Sequence, residues 1–466
     1  MDTEVVIAGA GPAGLTLACE LAIAGVRTIL FEREAHRPSF CRGFNLNARS
    51  LDAFDRRGIA DRFIAEGLKV PTTFFGGLPG PLDISGLGWD HPYTLGIAQT
   101  RVEEILEARA AELGVDIRRG HAVTAVAQDS NGVTVNNKIR ARYLVGCDGG
   151  RSAVRKLAGI DFPGTPNTRY AMIGDVETDL TPGKHQGVFV IPRPGYVRIV
   201  VADPVLDRAE PITLAVLNST VDEALGRHVE LANPRWLTRF GNAARQAATY
   251  RSGRVLLAGD AAHIHPPAGA QGVNIAIADA MNLGWKLAAA VHGWGSGELL
   301  DSYHQERHAA GARVLLHTQA QGLLAGDDLG PLRDLFAQLC ELDGVGRYLA
   351  ELTTGVETRY EMGEFAGHPW LGRMAPDIPV LIDGRPTSVA KLLRGGRGVL
   401  LDFGVLDHPQ LDRVDVLRAQ PRGEVPVAAM LIRPDGHVAW LATADGRAEP
   451  GPLATALARW FGLVPA

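Results

Sequence analysis

The feature that most constrains this chain is a six-residue segment near its start, Gly9-Ala10-Gly11-Pro12-Ala13-Gly14, set between two apolar stretches. Val5 to Ala8 reads as a buried strand, and Leu15 to Ala24 as a helix stopped by Gly25. Val26 to Phe31 reads as a second strand with Glu32 at its end. Strand, glycine-rich turn, helix and strand make the βαβ unit that binds dinucleotides. Gly9 permits the tight turn, Gly11 lets a pyrophosphate approach the backbone, and Gly14 lets helix and strand pack closely. Pro12 and Ala13 belong to the same loop. Glu32 suits a ribose hydroxyl. The fingerprint alone does not separate FAD from NAD.

A second stretch, Arg254 to Asn274, reads RVLLAGDAAHIHPPAGAQGVN. Val255 to Ala258 is a strand pattern that breaks at Gly259-Asp260. A loop with Pro266, Pro267 and Gly269 follows, and a helical pattern runs from Ile275 towards Leu287. This order puts unpaired helix N–H groups and one carboxylate at a single spot. Asp260 can bind a polyol hydroxyl, or it can cap the corner; both readings stand at this point. Gly272, Val273 and Asn274 can meet the electron-rich end of a flavin ring. A third strand pattern, Ile139 to Leu144, leads into Cys147-Asp148-Gly149-Gly150-Arg151-Ser152. Asp148 is then another acid at a strand's C-terminal end, where open α/β sheets bind ligands, or a turn aspartate.

Between these landmarks the chain changes character several times. Arg33 to Ser50 is arginine-rich, and Arg42 can reach a phosphate or belong to a solvated loop. Pro71 to Pro92 is rich in Gly, Pro and aromatics. It reads as a wall over a ligand pocket, with Phe74, Phe75, Gly76, Leu78 and Trp89 as contacts, or as a packed surface loop. Gln99-Thr100-Arg101 opens a helix that ends at Gly114. From Asp161 to Tyr250 strands are expected at Met172 to Glu177, Gly187 to Ile191, Tyr196 to Asp203 and Ile212 to Leu217. Helices are expected around Val221 to Val229 and Pro234 to Phe240. Helices then run to about Tyr360. From Ser388 the order is a turn, strand Gly398 to Phe403, a helix near Leu411, three strands and a final helix Leu453 to Phe461.

The expected fold class is therefore α/β: a Rossmann-like domain, an inserted mainly antiparallel sheet domain for the substrate, and a C-terminal domain of thioredoxin-like order lacking cysteines. The expected boundaries are 1–165 (with 71–95 reaching towards the pocket), 166–250, 251–370 and 371–466. A net charge of -5 argues against a general nucleic-acid binder. The cysteines, Cys19, Cys41, Cys147 and Cys340, form no C-x-x-C pair, which argues against zinc, a disulfide framework or thiol redox. No signal peptide and no membrane-spanning run is read, so the expectation is a soluble cytoplasmic protein with no metal.

Taken together, GAGPAG, CDGGRS and GDAAHIHPPAGAQGVN occur in an order that resembles the group A flavoprotein monooxygenases, the family of para-hydroxybenzoate hydroxylase. FFGGLP, YLVGCDGGRSAVRK, LDSYHQERHA and LIRPDGHVAW resemble its aromatic polyketide hydroxylases of the angucycline and anthracycline type. The resemblance covers essentially the whole chain. It implies FAD, NADPH and O2, and a flavin C4a-hydroperoxide that attacks an electron-rich ring. Baeyer–Villiger insertion or rifamycin-type inactivation are the alternatives. It implies FAD contacts from Gly9, Gly11, Pro12, Ala13, Gly14, Glu32, Arg33, Arg42, Gln99, Arg101, Asp148, Gly259, Asp260, Pro267, Gly272, Val273 and Asn274. Pro266, Pro267 and Gly269 would shape the loop at the reactive carbon. Ala270 stands where many relatives have glycine, which restricts that loop. His263 and His265 are expected to pack the loop rather than react. The partner is a small polycyclic aromatic, and the chain is expected to be a monomer or homodimer.

Overall fold

The computed structural model describes residues 1–76, 78, 80–205, 211–325, 329–342, 344–363, 367–406, 410–444 and 453–463. Its first layer is a six-stranded sheet ordered Arg251–Ser252, Val255–Leu257, Tyr143–Gly146, Val5–Ala8, Thr28–Glu32, Asp116–Arg119. All neighbours are parallel except the first pair. Val5–Ala8 and Val255–Leu257 are apolar at every position because both faces of a parallel sheet are covered. Register decides what happens next. Ala8 lies opposite Gly146 and Phe31, and Gly146 opposite Leu257. The residues that follow these strands, including Gly9, Glu32, Asp148 and Asp260, therefore emerge along one edge.

Gly9 has φ +106° and its absent side chain would meet the Cys147 carbonyl at 2.3 Å. At Gly14 a Cβ would lie 1.9 Å from the Gly9 carbonyl oxygen. These two glycines let helix Pro12–Ile23 sit down on the sheet. Helix Gly272–His292 packs beside it and is buried along almost its whole length.

A five-stranded antiparallel sheet faces that edge, ordered Gly183–His185, Val188–Arg193, Tyr196–Asp203, Tyr170–Glu177, Ala232–Gly241. Strand alternation sends Met172, Val190, Ile199 and Val201 into a core under helix Leu214–Leu225. The other face carries Ile173, Ile191, Val200 and Phe240. Two expectations fail here. Ile212 to Leu217 is not a strand: Thr213 caps a helix by accepting from the Val216 amide at 3.3 Å, and Leu217 and Val221, one turn apart, pack on the sheet. Pro234 to Phe240 is not a helix: it pairs with Tyr170–Glu177, with Trp236 opposite Asp175 and Phe240 opposite Ala171. Pro234 is tolerated because a bulge at Asp175/Glu177 and the sheet edge leave its missing N–H harmless.

The C-terminal region forms a four-stranded sheet ordered Val414–Arg418, Gly398–Asp402, Val427–Ile432, Val438–Thr443, with its first pair parallel and the rest antiparallel. The helix expected near Leu411 is absent among the described residues; Asp412 and Arg413 form a turn directly before the strand. Trp460 and Phe461 of helix Leu453–Phe461 bury against Trp285 and Ala289, so this region shares a core with the central helices. Among the described residues no helix is long and apolar enough to cross a membrane.

Gly14→Ala is expected to cost about 2 kcal/mol of stability, because the added methyl must displace backbone rather than a flexible side chain. Denaturant unfolding checks this.

Candidate flavin and substrate site

The sheet edge and the antiparallel sheet enclose a cavity of about 970 Å³. One end is polar and built on the glycine loop: Gly9, Gly11, Pro12, Ala13, Glu32, Arg33 and Asp148 line it. A Cβ on Gly11 would meet nothing within 4 Å, so the backbone there is open to a ligand. Helix Pro12–Ile23 starts with no side-chain cap, leaving its first N–H groups for an anion. Glu32 accepts from the Ala10 amide at 2.8 Å and the Glu34 amide at 2.9 Å, so the acid that faces the cavity also holds the loop in shape. Asp148 accepts from Ser152 Oγ and from the amides of Ala153 (2.7 Å) and Val154 (3.1 Å). It caps the next helix from the cavity wall.

Arg42 and Gln99 line the middle of the cavity, and Gln99 Nε2 donates to Glu103 at 2.8 Å. Arg101 does not join them. It lies on the surface, paired with Glu66 and Glu104, because its position on helix Gln99–Glu112 faces outward. At the far end come Asp260, His265, Pro267, Gly269, Ala270, Gly272 and Val273. Asp260 is exposed to the cavity and makes no hydrogen bond among the described residues, so the capping alternative fails. Gly269 and Ala270 are both left-handed, with φ +70° and +51°. An alanine in that region costs about 1 kcal/mol relative to glycine, so Ala270 holds its loop in a strained shape.

Three expected contacts serve the frame instead. Pro266 lies off the wall and its carbonyl accepts from His265 Nδ1 at 2.8 Å. Gly259, at φ +63°, lies against Ala13 and Ala276. Asn274 is buried, accepting from the Asn47 amide and Ser50 Oγ, both at 2.8 Å. His263 is fully buried and shares a 2.7 Å hydrogen bond with Asp279, a packing role as expected.

Of the expected substrate contacts, only Phe74 faces the cavity. Phe75 and Leu78 pack with Leu324, Leu349 and Leu352. The Gly76 amide donates to Gln321 at 2.8 Å, and Trp89 lies away from the wall. Gly77 and Pro79 lie outside the described residues. An excursion held to the helices at several points presents only its tip. The opposite wall, Ile173, Ile191, Val200 and Phe240 with Arg193 and Arg198, follows from strand alternation that sequence reading left unassigned.

Sequence reading also missed the buried charges behind the site. Asp279 accepts from the Gly259 amide (2.9 Å), and binds His263 and Arg307 Nε, each at 2.7 Å. Burial raises its pKa, but the charges and hydrogen bonds of His263 and Arg307 overcome this and hold it below the usual range. Next to it Glu306 accepts from Lys286 Nζ (2.8 Å) and from Arg433 (2.7 and 2.9 Å), and Arg433 also pairs with Asp435. This second group links the central helices to the C-terminal turn Pro434-Asp435-Gly436. The available signal was Asp279, Asn282 and Lys286 recurring at helical spacing in an otherwise apolar run, facing Glu306 and Arg307.

Burial lowers the pKa of Lys286 to about 8 despite Glu306. A lysine whose folded value lies below its unfolded 10.5 binds fewer protons folded than unfolded between the two. Its contribution to stability therefore rises with pH from about 8 to 10.5. Glu306→Gln, which leaves an uncompensated buried cation, is expected to cost about 3–5 kcal/mol at neutral pH and less at pH ~10. Denaturant melts across that range check the sign.

The free acid, the open Gly11 backbone and the two uncapped helix starts fit a flavin dinucleotide. A model of the FAD binding domain matches residues 2–318, and one of the aromatic-ring hydroxylase C-terminal domain matches residues 368–463. The chain is 41% identical to the 12-dehydrotetracycline 5-monooxygenase/anhydrotetracycline 6-monooxygenase of Streptomyces rimosus, with 99% of each chain covered. It is 41% identical to the rifampicin monooxygenase of Streptomyces venezuelae, with 98% of each covered. The solved structure of CabE, an aromatic hydroxylase from angucycline biosynthesis, superposes with a TM-score of 0.91 at 38% identity over 100% of both chains. The chain belongs to the FAD-dependent aromatic-ring hydroxylases, the group A flavoprotein monooxygenases.

Proposed function

We propose that the protein hydroxylates a polycyclic aromatic polyketide of the angucycline or anthracycline type in antibiotic biosynthesis, with NADPH as donor and O2 as oxidant. The observation that carries this reading is the cavity itself: a dinucleotide grip at one end runs without interruption into an apolar chamber at the other. Its volume of about 970 Å³ lies at the top of the usual range for small-molecule sites.

The FAD contacts of this reading are Gly9, Gly11, Pro12, Ala13, Gly14, Glu32, Arg33, Arg42, Gln99, Asp148, Asp260, Pro267, Gly272 and Val273. FAD held there would supply acceptance of hydride from NADPH and activation of oxygen for transfer to the ring. The chain's own part is to bind, orient and exclude water. The start of helix Gly272–His292 offers unpaired N–H groups to an electron-rich partner. Ile173, Ile191, Val200, Phe240 and Phe74 hold a flat apolar ring and keep the chamber dry.

Four units underlie the reading: 1–165 and 251–370 for the cofactor, 166–250 for the substrate, and a thioredoxin-like 371–466 that anchors the helices. The described cysteines are free and Cys19, Cys41 and Cys147 are buried, in keeping with a reducing cytoplasm. A monomer or a homodimer suits a site made within one chain.

NADPH oxidation in air, followed by product mass, tests the reaction. Tetracyclic phenolic quinones are expected to accelerate it and to gain one oxygen with rings intact. A lactone would mean Baeyer–Villiger insertion, and a response to rifamycins alone would mean antibiotic inactivation. Asp260→Ala is expected to raise the FAD Kd by roughly tenfold or more, the worth of a hydrogen bond to a charged group. Flavin release on dilution, read by fluorescence, checks it.

A further inference from the structure

His265 lies in the cavity wall near Pro267. Its Nδ1 is 2.8 Å from the Pro266 carbonyl oxygen. A carbonyl only accepts, so Nδ1 carries the hydrogen, and in the neutral ring Nε2 carries a lone pair. Among the described residues Nε2 has no hydrogen-bond partner. It lies close to the start of helix Gly272–His292: a Cβ on Gly272 would be 3.9 Å from it. That helix begins with no side-chain cap, so its first N–H groups are open as well. A proton acceptor and a row of fixed donors thus stand side by side, at the end where the flavin reading places Pro267, Gly272 and Val273.

The groups that face this imidazole come from several elements. The turn Gly259–Ala261 brings Asp260, and the strand His263–Ile264 brings His263. The paired strand Ala244–Gln246 sets Arg245 opposite Ile264, and that guanidinium donates to the Phe162 carbonyl at 3.3 Å. The first turn of helix Gly272–His292 holds no titratable residue. Arg42, Arg193 and Arg198 line the same cavity from the loop at 40–44 and from the antiparallel sheet. Burial pushes the His265 pKa down; the Pro266 hydrogen bond opposes this, His263 adds to it and Asp260 opposes it. The helix start and the arginines favour the neutral imidazole further. A negative charge arriving at the helix start reverses the balance, because an opposite charge within about 4–6 Å raises a histidine pKa by roughly 1–3 units.

We propose that His265 is the proton carrier of the reaction: neutral beside the oxidised flavin, it takes one proton from water at Nε2 when the flavin is reduced, and gives it up when oxygen is consumed. The inference rests on the flavin reading of this site and adds the residue that handles its proton. The stoichiometry requires such a proton. NADPH, O2, one proton and an aromatic C–H give NADP⁺, an aromatic C–OH and water. The hydride from NADPH brings two electrons and one proton, and leaves the flavin with one negative charge. The second proton comes from solvent. The negative charge draws it onto His265, and loss of that charge on reoxidation releases it to the oxygen atom that leaves as water.

The midpoint potential of the FAD-loaded protein, measured from about pH 6.5 to 8, tests this without any aromatic substrate. In a two-electron couple each proton taken up moves the potential by about 30 mV per pH unit. The wild type is expected to move by about 60 mV per pH unit, one proton on the flavin and one on His265. The near-ultraviolet absorption of the reduced flavin, which differs between its neutral and anionic forms, should be that of the anion throughout. His265→Asn keeps a donor for the Pro266 carbonyl but cannot titrate, and His265→Gln cannot titrate either. Both should fall to about 30 mV per pH unit with FAD content matching the wild type. A wild-type slope nearer the lower value overturns the proposal, as does the absorption of the neutral reduced flavin. So does a slope that both variants leave unchanged. Loss of FAD from both variants would make His265 part of the cofactor grip, and overturns it too. Because no aromatic takes part, a failed titration leaves the hydroxylase reading standing. A steep slope in an enzyme whose NADPH oxidation no aromatic accelerates would do the reverse.

Discussion

The hydrogen bonds of Asp279 are the interaction on which the rest of the site depends. One buried carboxylate holds the Gly259 amide, His263 and Arg307. Gly259 is the first residue past the strand Val255–Leu257 and its Ala258 extension, and the next residue is Asp260. Fixing the Gly259 amide from behind leaves Asp260 facing the cavity with its oxygens unclaimed. Arg155 adds to this from the other side, donating to the Ala261 carbonyl at 2.8 Å. The loop that presents the cavity-facing acid is thus held by charges that do not line the cavity.

Buried charge is costly unless paired, and this chain pairs it across sequence-distant elements. Arg307 links Asp279 to the Tyr360 hydroxyl at 3.0 Å, and the Tyr360 ring packs, tilted, on His437 with centroids 4.4 Å apart. Glu306, one residue before Arg307, joins Arg433 and Lys286. Arg57 pairs with Glu20 and also donates to the carbonyls of Leu393 and Pro434. The C-terminal sheet is therefore not a detachable appendage. Its tight turn at 434–436 supplies part of the polar frame behind the flavin loop, and Trp460 and Phe461 supply apolar cover.

The two walls of the chamber differ in how they are made. The antiparallel sheet presents alternate residues by geometry alone, so one face is core and the other is site. The excursion at 71–92 is tied down through Phe75, Leu78 and the Gly76 amide, and contributes Phe74 at its tip. A rigid sheet lies on one side and an anchored loop on the other, and the strained Gly269-Ala270 corner is left-handed backbone on the cavity wall.

Legibility followed the range of the interactions concerned. The dinucleotide loop, the strand-end acids and the two-proline loop could be read from the chain because each is a local device: a glycine needed at one turn, an acid at one strand end, a helix start. Ladder partners could not be read that way. Trp236, Leu237 and Phe240 carry no marker separating a strand from an amphipathic helix until Tyr170–Glu177 lies alongside. Arg101 and Arg42 share a residue type that suits phosphate, but helix phase turned one to solvent and left the other in the cavity. Sequence by itself determined the fold of the cofactor half and the chemistry of its ends. The tertiary structure alone decided which side chains meet: the partners of Asp279 lie 16 to 28 residues away and those of Glu306 up to 127, and the pairing of charges at such separations depends on packing that no local pattern encodes.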